Sequence, residues 1–75
     1  MFIKEIFCER LKTARINAGL SQSAVGEKFN APKQYISRWE KGVQEPSLAA
    51  LYDIADALEV SVDYLLGLSD VQERR

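Results

Sequence analysis

The stretch from Gln22 to Glu40, QSAVGEKFNAPKQYISRWE, leaves this chain few ways to fold. Val25 and Phe29 lie four apart, a spacing that sets two side chains on one helix face. Gly26 stands between them, and a glycine inside a helix costs about 1 kcal/mol relative to alanine. A close approach by the backbone of a following helix would offset that cost. Asn30 comes where the first helix should stop, and asparagine is among the few non-glycine residues that enter the left-handed region cheaply. Pro32 suits the first turn of a new helix, where its missing N–H is not needed. Ile36 and Trp39 give that helix an inward stripe, and Gly42 occupies the post-helix position. The pattern predicts two short helices, over 22–29 and 32–41, joined by a tight turn.

The flanking segments read as supports for this pair. Phe7, Leu11 and Ala14 recur at helical spacing and Gly19 supplies a stop, which predicts a helix over 3–18. Ser21 can cap the helix that begins at Gln22. Ser47 can cap another over 48–58, with Leu48, Leu51, Ala55 and Leu58 inward, Ile54 beside them, and Asp53, Asp56 and Glu59 toward solvent. Ser61 and Gly67 bracket a short helix over 62–66. Strand signals are lacking. The expected fold is all-α, five helices in one domain over 1–67, with a flexible polar tail over 68–75.

Composition removes whole classes of function. Seventy-five residues make one small domain, too small for a deep catalytic cleft. There is no histidine and a single cysteine, so no Cys/His cluster can hold a metal, and Cys8 has no base to activate it and no internal disulfide partner. No glycine-rich phosphate loop follows a strand, and no cofactor is implied. The chain is read as a non-enzyme, and Cys8 as a core or boundary residue in a reducing cytoplasm. No apolar run nears the roughly 20 residues of a membrane span, and MFIKEIF lacks the marks of a signal peptide.

Net charge is −1, which by itself argues against a nucleic-acid partner. Its distribution argues the other way. Residues 1–42 carry eight cations against four anions, whereas residues 43–73 carry seven anions and no cation. The positive half contains the two-helix stretch. Within it, Lys33, Gln34, Ser37 and Arg38 share the side opposite Ile36 and Trp39. Lysine and arginine donate to guanine N7 and O6, and glutamine pairs bidentately with adenine, so this face suits base edges in the major groove. Tyr35 is expected to face away from Trp39 and to touch phosphate or sugar.

On Gln22, Gly26, Asn30 and Ile36, and on the helices that flank them, the chain resembles the helix-turn-helix of lambda-type phage repressors and Cro proteins, a family of transcriptional regulators. The resemblance covers residues 7–67 and departs from the family at Asn30, commonly glycine, and Gly26, commonly alanine. It implies a five-helix lambda-repressor-like domain. It puts Lys33, Gln34 and Arg38 at base-reading places and Ser37 at an accessory one. It implies that Gln22 contacts a DNA phosphate, and that Lys41, Val43 and Gln44 line the loop that follows the backbone. It implies an ion pair between Arg15 and Glu40. At the far end, Val62, Tyr64, Leu65 and Leu68 either form the two-fold contact of a homodimer or simply close the core. The expected function is sequence-specific binding of double-stranded DNA by a transcriptional regulator, a repressor on a palindromic operator, with no small-molecule ligand. Two further readings stay open: an antitoxin or protein-interaction adaptor on the same fold, favoured by the acidic second half, and the DNA-binding part of a longer repressor.

Overall fold

Three serines start three helices by the same local chemistry. The hydroxyl oxygens of Ser21, Ser47 and Ser61 accept from the backbone N–H groups of Ala24, Ala50 and Tyr64 at 3.0, 3.1 and 2.9 Å. Each satisfies one of the donors that a helix start leaves without an intrahelical partner. The structure, a computed structural model, describes residues 1–72. Its helices are α1 (Lys4–Asn17), α2 (Gln22–Glu27), α3 (Lys33–Lys41), α4 (Leu48–Leu58) and α5 (Val62–Leu66). Among the described residues no helix is long and apolar enough to cross a membrane.

One core joins all five. Phe7, Leu11 and Ala14 of α1 meet Val25 of α2, Ile36 and Trp39 of α3, and Ile54, Ala55 and Leu58 of α4. Val60, Tyr64 and Leu65 close it from the α5 end. The helical spacing read in α1 and α3 is therefore the spacing of buried positions. In α4 the stripe is shorter than expected: Leu48 is 84% exposed, because no described residue covers the first turn of that helix at this position.

Four boundaries also differ from the sequence expectation: α1 is one residue shorter at each end than 3–18, and α2 and α3 each differ at one end. α2 ends at Glu27, and residues 28–30 turn out of the helix two residues early. Pro32 is the capping residue, with φ −62° and ψ 149°, so the first helical residue of α3 is Lys33. Its ring fixes φ but leaves ψ extended, which lets the chain enter the helix from the turn.

The segment after α5 is not a loose tail in its described part. The Arg10 guanidinium lies over the Tyr64 ring, 4.5 Å from the centroid. Its Nη1 donates to the carbonyl oxygens of Tyr64 and Ser69 at 2.8 and 2.6 Å, and Nη2 pairs with Asp70 Oδ1 at 2.9 Å. Further on, the Ser61 N–H donates to Gln72 O at 3.0 Å, and the Ser61 hydroxyl donates to Val71 O at 3.2 Å. The Asp70 side chain is 99% exposed, so the ion pair contributes little and the carbonyl bonds hold the segment. Residues 73–75, the rest of the expected tail, lie outside the described residues.

Candidate nucleic-acid interface

The turn between α2 and α3 is built from backbone contacts. Asn30 has φ +60°, in the left-handed region. The Ala31 N–H then donates to Gly26 O at 2.9 Å, closing the end of α2. A Cβ built on Gly26 would lie 2.2 Å from Ala31 O. Glycine is required here by a carbonyl of the turn itself rather than by the body of the next helix.

The far end of α3 is tied down by charge. Arg15 of α1 donates from Nε and Nη2 to the two carboxylate oxygens of Glu40, at 2.6 and 3.2 Å. The two side chains are 14% and 7% exposed. Arg15 Nη1 also donates to Leu20 O at 3.0 Å, so the fork spans α1, the loop and α3. Such a planar, bidentate contact fixes orientation as well as distance. Gln22, at the start of α2, donates from Nε2 to Glu40 Oε1 at 3.2 Å. The sequence reading missed this link, although a carboxylate that receives an arginine fork still has acceptor capacity for a nearby amide. Cys8 adds a weaker tie, its thiol donating to Trp39 O at 3.3 Å. Burial pushes that thiol up from its ordinary pKa, and the positive charge of Lys4 opposes the shift. Cys8 thus stays protonated at neutral pH.

Held at both ends, α3 buries Ile36 and Trp39 and exposes Lys33, Gln34 and Arg38, with Ser37 half-buried beside them. Four side chains able to donate hydrogen bonds thus share one presented face. Lys41 and Gln44 are also exposed, just beyond it.

Two expected contacts come out differently, and the residues after α4 resolve in part. The Tyr35 ring does not turn away from Trp39; the two rings pack at 6.2 Å with a 57° tilt, because residues four apart on a helix are neighbours. Val43 is 71% exposed, but its N–H donates to Arg38 O at 3.1 Å, completing the turn that Gly42 makes at φ +76°. That amide is used within the chain, closing the turn after α3. Leu65 is fully buried and Tyr64 is 9% exposed, so both pack into the core of their own chain, as the core-closing alternative has it. Of the four residues expected at such a contact, Leu68 is exposed and Val62 is half-buried against the core.

Comparison with known proteins fits this geometry. Residues 11–65 match the helix-turn-helix family HTH_3. The chain is 35% identical over 66 residues to the HTH-type transcriptional regulator ImmR of Bacillus subtilis, covering 88% of this chain and 52% of ImmR. It is 32% identical over 62 residues to repressor protein C2 of Salmonella phage P22, covering 83% of this chain and 29% of that repressor. The chain therefore spans about half the length of the first of these relatives and less of the second. Among solved structures, the P22 c2 repressor in complex with a synthetic operator superposes with a TM-score of 0.80 at 31% identity, over 85% of this chain and 97% of that one. The regulator SinR in complex with DNA superposes with a TM-score of 0.74 at 36% identity, over 80% of this chain and 97% of that one. By its sequence over 11–65 and by its fold, the chain belongs to the helix-turn-helix family.

Proposed function

We propose that this chain binds double-stranded DNA sequence-specifically as a transcriptional regulator, acting as a repressor, with α3 in the major groove. The observation that carries the reading is the exposed set Lys33, Gln34, Ser37 and Arg38 on a helix fixed at both ends. Lys33 and Arg38 would donate to guanine, Gln34 would pair with adenine, and Ser37 would assist. Gln22, Tyr35, Lys41 and Gln44 would meet phosphate or sugar around them. The Gln22 amide gives one hydrogen to Glu40 and keeps a second, at the α2 N-terminus, for an anion. Relatives named as regulators and repressors favour this reading over an adaptor.

The chain would act as a homodimer on a palindromic site, since one short helix reads only a few base pairs and paired helices must sit about 34 Å apart to read successive half-sites. The experiment is selection of bound duplexes from a random pool. It should return a two-fold symmetric sequence with half-sites about one helical turn apart. If the triple variant Lys33→Ala, Gln34→Ala, Arg38→Ala bound the selected duplex as well as the unmodified chain does, α3 would not be the reader.

A further inference from the structure

Arg38 has no anionic partner among the described residues, whose ion pairs are Arg10–Asp70 and Arg15–Glu40. Its guanidinium lies instead over the Tyr35 ring, 5.8 Å from the centroid and three residues earlier on α3. A cation within about 6 Å of a ring face is attracted by the ring quadrupole. The Tyr35 ring is itself placed by Trp39, at 6.2 Å, and Trp39 is 4% exposed. On its other contact Trp39 stacks on Phe29, just after α2, at 6.4 Å and an interplanar angle of 10°. A continuous set of contacts therefore runs from the core, through Trp39 and Tyr35, to the tip of an exposed arginine. Ordering a rotamer-rich side chain at an interface is a cost of binding. A ring that holds the guanidinium beforehand removes part of that cost and narrows the directions in which the fork points.

We infer that Tyr35 is a positioning residue for base discrimination by Arg38, its ring serving as a shelf that pre-orients the guanidinium toward a guanine edge. The inference rests on the DNA-reading role proposed for α3. It is separate from a phosphate contact by the Tyr35 hydroxyl, because the shelf uses the ring face. Losing a phosphate contact weakens every duplex alike, whereas losing the shelf changes the ratio between base pairs.

The probes are the duplex that the unmodified chain selects from a random pool and its three single-base-pair variants at the position where Arg38→Ala loses preference. Tyr35→Phe keeps the ring, so the ratio between these duplexes stays at its original value whatever happens to overall affinity. Tyr35→Leu keeps apolar contact with Trp39 but removes the π face, so the ratio falls about two- to fivefold, the weight of an exposed cation–π contact. The salt slope is unchanged, and Tyr35→Leu causes no further fall when added to Arg38→Ala. Tyr35→Gln, which also lacks a ring and forms helix well, replaces Tyr35→Leu should that variant fail to fold. In the DNA-free chain, proton NMR reads the contact directly: Arg38 side-chain resonances are shifted upfield by the ring in the unmodified chain and in Tyr35→Phe, and lose that shift in Tyr35→Leu. An unchanged ratio in Tyr35→Leu, no lost preference in Arg38→Ala, or identical Arg38 resonances with and without the ring would overturn the inference. If the unmodified chain selects no duplex, the DNA-reading role of α3 fails as a whole; the NMR comparison, which needs no DNA, tells that failure from loss of the shelf.

Discussion

Gly26 lies in a helix, where alanine ordinarily gains about 1 kcal/mol over glycine. Here a Cβ would meet Ala31 O at 2.2 Å, and that oxygen belongs to backbone that cannot rotate aside. The sign should reverse: Gly26→Ala is expected to destabilise by about 1–3 kcal/mol, as overpacking does, read from the midpoint of urea unfolding. Glu59 presents the opposite case. It ends α4 at φ +55°, a conformation that costs a side-chain-bearing residue about 1–2 kcal/mol. Glu59→Gly relieves that strain but gives the unfolded chain more freedom, so a net gain of about 0.5 kcal/mol should appear in the same measurement. A Glu59→Gly variant that unfolded at lower urea would mean that the left-handed turn is not strained. Both residues show where single-residue reading stops. Glycine at 42 and 67 announced a helix end, whereas a glutamate doing the same job carries no such mark.

At the scale of elements, the segment over 69–72 shows how a short run of polar residues can become structure. Ser69, Asp70 and Gln72 looked disordered because their side chains offer no apolar face. What holds them is mostly their backbone carbonyls, and carbonyls are the same in every sequence. The donors are Arg10 and Ser61, some 60 and 10 residues earlier. The partner could be read only once α1 and α5 were placed side by side. Arg10→Ala would remove the donor to Tyr64 O and Ser69 O and uncover the Tyr64 ring. The expected loss is about 1–3 kcal/mol, and amide hydrogen exchange at Ser61 should rise because its acceptor, Gln72 O, would be released. Unchanged protection at Ser61 would show that the segment holds without the arginine. The helices themselves were legible: apolar spacing and serine caps give local signals, and α4 and α5 begin and end where those signals sit. Tyr64 and Leu65 were ambiguous because spacing gives a face but not what covers it.

For the molecule as a whole, the charge asymmetry seen in the sequence survives folding. Arg10 and Arg15 are used internally, against Asp70 and Glu40. Lys33, Arg38 and Lys41 remain exposed on or beside the presented face of α3, while the anions of residues 43–72 fall on the other half of the chain. A nearly neutral protein can therefore meet DNA with a positive surface, and its net charge is a poor guide to that encounter. If this face meets phosphates, the logarithm of the association constant should fall linearly with the logarithm of salt concentration, with a slope set by the number of contacts. Lys41→Ala should then weaken binding to the selected duplex and to a random duplex by the same factor. It should also reduce the slope by about 1 for each copy of the chain bound. Arg38→Ala should behave differently, costing about 1–3 kcal/mol on the selected duplex and relaxing preference at one base pair. The two variants divide the face into a part that holds DNA and a part that reads it. Should Lys41→Ala alter base preference and leave the slope untouched, that division would be wrong, and the loop after α3 would have to be placed in the groove.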